Sequence, residues 1–202
     1  ELYEAIAKRR IVRDFKDDDV PLATVEKIIG VGSKRDADHL RNWEFVVLHD
    51  KEEKERALQY VASGIGPTLE ILKKTLTDGS RSKNDAVAMP RQYTMLFNAP
   101  YVILPFFKAT PGVMKPDSVS SLNPLSSIWC VVENIFLAAT AEGLACSMRI
   151  PVGSEGPNAG AVGAPDDYML PCYIGLGVPA DDAPEIEQIE YTAKQKMRFG
   201  KW

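Results

Sequence analysis

Apolar positions fall into two kinds of pattern along this chain. Spacings of three and four mark helices. Leu2, Ala5 and Ile6 share one face of a helix over Leu2–Arg10. Val25, Ile28, Ile29 and Val31 form the stripe of a second, which starts at Pro21 and ends at Gly30 and Gly32. Ala57, Leu58 and Val61 stripe a helix over Glu52–Ala62, and further helices are expected over Leu69–Leu76 and Met89–Phe97. Ser126–Ala141 is apolar almost all round, as a helix in a core or an interface is. Continuous apolar runs mark strands instead. Trp43–Leu48 is rich in β-branched and aromatic residues. Ala99–Phe107 is apolar on both faces, which predicts a central strand, and Leu170–Pro179 is the third strand.

Between these elements lie polar stretches. Ser33–Asn42 and Asp78–Asp85 read as loops, Lys108–Pro124 as a long connection, and Ile150–Gly153 and Asp166–Leu170 as turns. Gly143 stops the apolar helix, Glu155–Gly163 is weakly patterned, and the tail from Ala180 to Trp202 is polar. About three or four strands among about seven helices indicate one α+β domain over residues 1–202.

Composition narrows the function. Lys and Arg number 24 against 28 Asp and Glu, a net charge of −4. That argues against a general nucleic-acid binder, which needs a cationic surface. Cys130, Cys146 and Cys172 are widely spaced in apolar surroundings and read as buried free thiols in a reducing compartment. There is no Cys-x-x-Cys, and two histidines suit neither a zinc site nor a Ser-His-Asp hydrolase. Uninterrupted apolar runs such as Tyr101–Phe107 are too short to span a bilayer, and no signal-peptide pattern opens the chain. A cytoplasmic protein is expected.

One local charge pattern opposes the overall balance. Lys8, Arg9, Arg10 and Arg13 place four cations within six positions. Either they form a solvated helix end paired with Asp17–Asp19, or they hold an anionic group. His39 is a surface histidine or a ligand contact, and Trp43 and Phe45 are expected in the core.

Five segments, in order, resemble the nitroreductase-like FMN-dependent flavoproteins. Lys8–Phe15 is similar to their Arg-Arg-Ser-x-Arg-x-Phe opening, and the loop ending Asn42-Trp43-Glu44-Phe45 to their Asn-x-Gln-Pro-Trp-x-Phe. Ala99-Pro100-Tyr101-Val102-Ile103, Glu133–Ala139 with Gly143-Leu144, and Ile174–Pro179 resemble three further motifs. The resemblance implies a central, mostly antiparallel sheet flanked by helices, and an intertwined homodimer with FMN at the interface. It implies an FMN oxidoreductase that takes hydride from NADH or NADPH onto flavin N5. By a ping-pong mechanism it would then reduce a nitroaromatic, quinone or related small electrophile. Relatives that dehalogenate reductively or fragment flavin, and a flavin-binding sensor without turnover, are the alternatives. No side-chain acid or base and no metal is required.

Site residues follow from the same resemblance. Arg9, Lys196 and Arg198 would meet the phosphate, and Arg13 the flavin pyrimidine edge. Arg10 and Ile11 would contact FMN partly through backbone, and Ile150, Pro151, Val152 and Gly153 would pass the flavin face. Asp36, His39 and Arg41 occupy the loop that faces ribityl and ring oxygens. Ile11 stands where the family has Ser, His39 where it has Asn, and Arg41 where it has Gln.

Overall fold

The computed structural model describes residues 2–34, 42–75, 91–109, 113–151, 158–184 and 191–202, with the backbone alone over 64–75 and 158–159. Trp43–Leu48 (β1) and Tyr101–Lys108 (β2) pair antiparallel, Trp43 opposite Phe107 and Leu48 opposite Val102. Ala145–Arg149 (β3), Tyr168–Met169 (β4) and Tyr173–Gly177 (β5) complete the described strands. The sheet order is β1-β2-β5-β3, with β4 alongside the end of β2, and every pairing is antiparallel.

β2 is central, as its two apolar faces predict: every residue from Tyr101 to Phe107 is buried. Alternation sends Tyr101, Ile103 and Phe107 into one core and Val102, Leu104 and Phe106 into the other. Pro105 fits inside this strand for a local reason. Lys108 N donates to Asn42 O on the β1 side (2.8 Å). By alternation the nitrogen of Pro105 faces the opposite side, in the gap between the stretches paired with β5 and with β4. There it interrupts no ladder bond.

Helices cover both faces. Leu2–Lys8 (α1) and Leu22–Gly32 (α2) pack with Asn123–Ala141 (α5 below) on the first core. Lys51–Thr75 (α3) and Thr94–Phe97 (α4) flank the second core, where Leu58, Val61, Met95 and Leu96 meet Tyr173. Asn123–Ala141 is α5, with Pro124 inside its first turn rather than before it, where the missing N–H is harmless. Asn158–Ala161 (α6) and Ala193–Lys196 (α7) are single turns.

The architecture is the expected α+β arrangement, and several local expectations are corrected. Residues 51–75 form one helix through Gly64, Gly66 and Pro67, where two were expected. Val31, assigned to the apolar stripe, is exposed; Val25, Ile28 and Gly32 carry the buried face. Asp166–Leu170 holds a short strand rather than only a turn, because Tyr168 and Met169 pair with Lys108 and Phe107. β3 was not anticipated. Ser147 and Arg149 interrupt its apolar pattern, yet both are buried. Ser147 Oγ donates to Met95 O (3.5 Å) and Arg149 donates to Gln92. Gly143 does end α5, at φ +76°, a conformation costly to other residues. By length and composition, Val119–Ala141 is long and apolar enough to cross a bilayer. It packs on α1, α2, β2 and β3. Asp78–Asp85 lies outside the described residues.

Candidate functional site

The basic cluster lies on an extended arm, Arg9–Lys16, that leaves α1 and crosses the end of the sheet. Three backbone hydrogen bonds fix it. Val12 N donates to Cys146 O (2.9 Å), Lys16 N to Val178 O (2.9 Å), and Ala180 N to Asp14 O (3.0 Å). Ile11 bridges to Cys146 in parallel and Phe15 to Pro179 antiparallel. The sequence allows this approach because residue 177 is glycine. A Cβ there would lie 2.5 Å from Pro100 Cδ and 3.0 Å from the Phe15 ring.

The arm's arginines differ in their surroundings. Arg10 turns back on α1, its Nη1 donating to Ala7 O (2.6 Å) and Arg9 O (2.8 Å). Arg9 reaches α5. Its Nε donates to Glu133 Oε1 (3.2 Å), and its guanidinium carbon lies 6.0 Å from the Phe136 ring centroid. Arg13 is the exceptional one. Its Nε is buried and has no hydrogen-bond partner, alone in this among the described side chains. Burial lowers its pKa, Arg91 lowers it further, and Asp14 opposes the shift. Asp14 is itself engaged by Arg91 (2.9 Å). A buried N–H donor without an acceptor is costly, and an acceptor oxygen from a bound molecule would satisfy it.

The other expected residues divide into three groups. Ile150 and Pro151 directly follow β3, Ile150 exposed and Pro151 half-buried. Asp36, His39, Arg41, Val152 and Gly153 lie outside the described residues. Lys196 and Arg198 belong to an exposed tail. Lys196 Nζ sits 4.1 Å over the Tyr191 ring, and Arg198 Nη1 donates to Gln195 O (3.3 Å) and Met197 O (2.9 Å). Among the described residues, no hydrogen bond or ion pair joins this tail to the arm.

The structure adds residues that sequence reasoning did not single out. Glu133 is the sole charged residue of α5, a signal visible in the sequence as one carboxylate on an apolar helix. Arg91 and Gln92, in the segment expected to be helical over Met89–Phe97 but ahead of the helix that forms there at Thr94–Phe97, reach the arm and β3. A separate cleft of about 610 Å³ lies beyond Phe15, lined in part by Asp17, Asp18, Asp19, His49 and Lys51. Lys54 stands at its wall, donating to Ala99 O (2.6 Å) and Pro100 O (3.1 Å), and burial lowers its pKa. Three carboxylates make this cleft a poor place for a phosphate, so the arm is the better candidate for an anion site.

Known proteins share this layout. No curated protein sequence matches the chain. An iodotyrosine deiodinase bound to FMN and 3-iodo-L-tyrosine superposes with a TM-score of 0.78 at 21% identity, all of both chains being covered. A BluB-like flavoprotein from Clostridium difficile 630 gives 0.73 at 20% identity over 100% of this chain and 99% of the other. The FMN and NADPH-dependent nitroreductase NfnB from sphigopyxis sp. strain HMH gives 0.73 at 18% identity over the whole of both chains. At such identities these likenesses speak for the fold. The sequence profile described as the Nitroreductase family matches residues 6–177, from α1 through the arm and the whole sheet to the end of β5, and the chain belongs to that family.

Proposed function

We propose that this chain is one domain that binds FMN and acts as an NAD(P)H-dependent oxidoreductase on small electrophiles. The observation that carries the reading is the buried, unpartnered Nε of Arg13, placed on the arm that opens the family match. When bound, FMN supplies two-electron chemistry between a nicotinamide donor and a nitroaromatic, quinone or related electrophile, in two half-reactions.

The chain's own residues bind and orient. Arg13 offers its donor to a carbonyl or ring-nitrogen acceptor of the flavin pyrimidine edge. A cation there favours negative charge on that edge. Arg9, with Lys196 and Arg198, neutralises the phosphate. Arg10 braces α1, and the backbone of Arg10 and Ile11 passes the cofactor. The resemblance assigns residues 150–153 and Asp36, His39 and Arg41 to the cofactor's remaining sides. The protein's part is position and electrostatics, with no side-chain acid or base.

The reading includes a second copy of the chain. Tyr3 and Phe199 are 87% and 84% exposed, and Leu2, Ile6 and Trp202 are exposed beside them in sequence. Burying such residues in a homodimer removes apolar area from water. Three free cysteines suit a cytoplasmic setting.

The test is spectroscopic. Purified protein should be yellow or take up FMN, and NADH or NADPH should bleach it anaerobically. A quinone or nitroaromatic should then restore the colour. Protein that cannot be loaded with FMN would sink the reading. Protein that binds FMN but is bleached by neither nicotinamide would move it to a flavin-binding role.

A further inference from the structure

Arg9 is the arm residue assigned to the phosphate, and it already has a carboxylate partner in this chain. Glu133 Oε1 lies 3.2 Å from Arg9 Nε, with side-chain exposures of 47% and 33%. Phe136, three residues on along α5, lies beside the same guanidinium. The pair is electrically neutral where an isolated Arg9 would carry one positive charge. Resting on the FMN reading above, we propose that Glu133 is a specificity-determining counter-charge. It reduces the preference of the site for phosphorylated over unphosphorylated flavin, so that the phosphate is held exchangeably.

Two effects of Glu133 oppose each other. It orients Arg9, which favours phosphate binding. It also places a negative charge beside the position a phosphate would take, which disfavours it. A pair exposed on both sides gains little from its own attraction, so little orientation is lost when the carboxylate is removed. Repulsion acts on a phosphate bearing about 1.5 to 2 negative charges near neutral pH, and it is the larger effect. Nothing comparable acts on riboflavin, which has no phosphate. The position of Glu133 is distinctive: every other residue of α5 is uncharged.

The test is a paired titration of flavin-free full-length chain with FMN and with riboflavin, following flavin fluorescence. Glu133→Gln should raise FMN affinity roughly two- to fivefold, the scale of one exposed charge interaction, while riboflavin affinity stays unchanged. Glu133→Ala should shift in the same direction, and added salt should shrink the difference between wild type and variant. FMN affinity that is unchanged or weakened by both substitutions overturns the counter-charge role, since it would leave only orientation. Equal shifts for both flavins overturn it as well. Wild-type chain that binds neither flavin removes the FMN reading itself, and this proposal with it.

Discussion

The arm and the tail are both cationic, and the protein holds them in opposite ways. The arm, Arg9–Lys16, is tied to β3 and to the segment after β5 by three backbone hydrogen bonds, and all its residues are at least partly buried. The tail, residues 191–202, is exposed throughout. Its contacts are local: a capping box between Thr192 and Gln195, Lys196 over Tyr191, and Arg198 on its own turn's carbonyls. Cations on the arm are therefore preorganised, while those on the tail still have rotamer and backbone freedom to lose. Equal charge in a sequence does not mean equal readiness to bind.

The largest expected effect comes from the most constrained group. Arg13→Met keeps an unbranched side chain of similar length but removes the orphaned donor. FMN affinity should fall roughly 10- to 100-fold, the scale of one hydrogen bond to a charged group. The flavin-free protein should become more stable, because an unsatisfied buried polar group is replaced by an apolar one. About 1 kcal/mol corresponds to roughly 2–4 °C in Tm for a chain of this size. Opposite signs for binding and stability are the signature. A lower Tm in the flavin-free variant would show that Arg13 supports the fold rather than a ligand.

A second prediction concerns how the arm is seated. Gly177→Ala puts a methyl against Pro100 and the Phe15 ring, and such overpacking costs about 1–3 kcal/mol. Phe15 should move and loosen the arm from Cys146. The Cys146 thiol reports on this, since burial raises its pKa and keeps it a poor nucleophile. Alkylation at pH 8 should be slow at Cys146 in the wild type and several-fold faster in the variant. Cys172, pushed up to about 12 by burial, is the internal control and should stay inert. Lower Tm with unchanged Cys146 labelling would mean that the arm does not depend on this contact.

The same contrast explains what could be read in the sequence. β2 was legible because its apolar run is continuous and buried, α5 because its apolar residues cover most of its faces, and β1 because its β-branched and aromatic residues favour a strand although only Trp43 and Leu48 are fully buried. β3 was not legible because two of its five residues, Ser147 and Arg149, are polar, and tertiary partners such as Gln92 make burial of Arg149 acceptable. Arg9, Arg10 and Arg13 were found as a cluster, yet their division was hidden. Whether an arginine meets Glu133, its own helix end or leaves its Nε without a partner depends on residues more than a hundred positions away or on a turn's exact path. The cysteines, read as buried free thiols, were two-thirds right: Cys146 and Cys172 are buried, and Cys130 is half-exposed.

The tail should give the smallest effects, and the pattern of those effects decides its place in the site. Lys196→Ala with Arg198→Ala removes two charges whose contacts lie within residues 191–198. Surface changes of this kind alter stability by no more than about 0.5 kcal/mol, so Tm should move by roughly 1–2 °C at most. FMN affinity should fall only a few-fold, because each cation must first be ordered before it can meet a phosphate, and that entropy offsets much of the attraction. The loss should shrink as salt is added, whereas the loss from Arg13→Met should not, because a buried donor is screened less than exposed charges. A loss as large as that of Arg13→Met, and insensitive to salt, would mean that the tail is seated as firmly as the arm once two chains assemble. The contrast between the two regions would then belong to the single chain and not to the working protein.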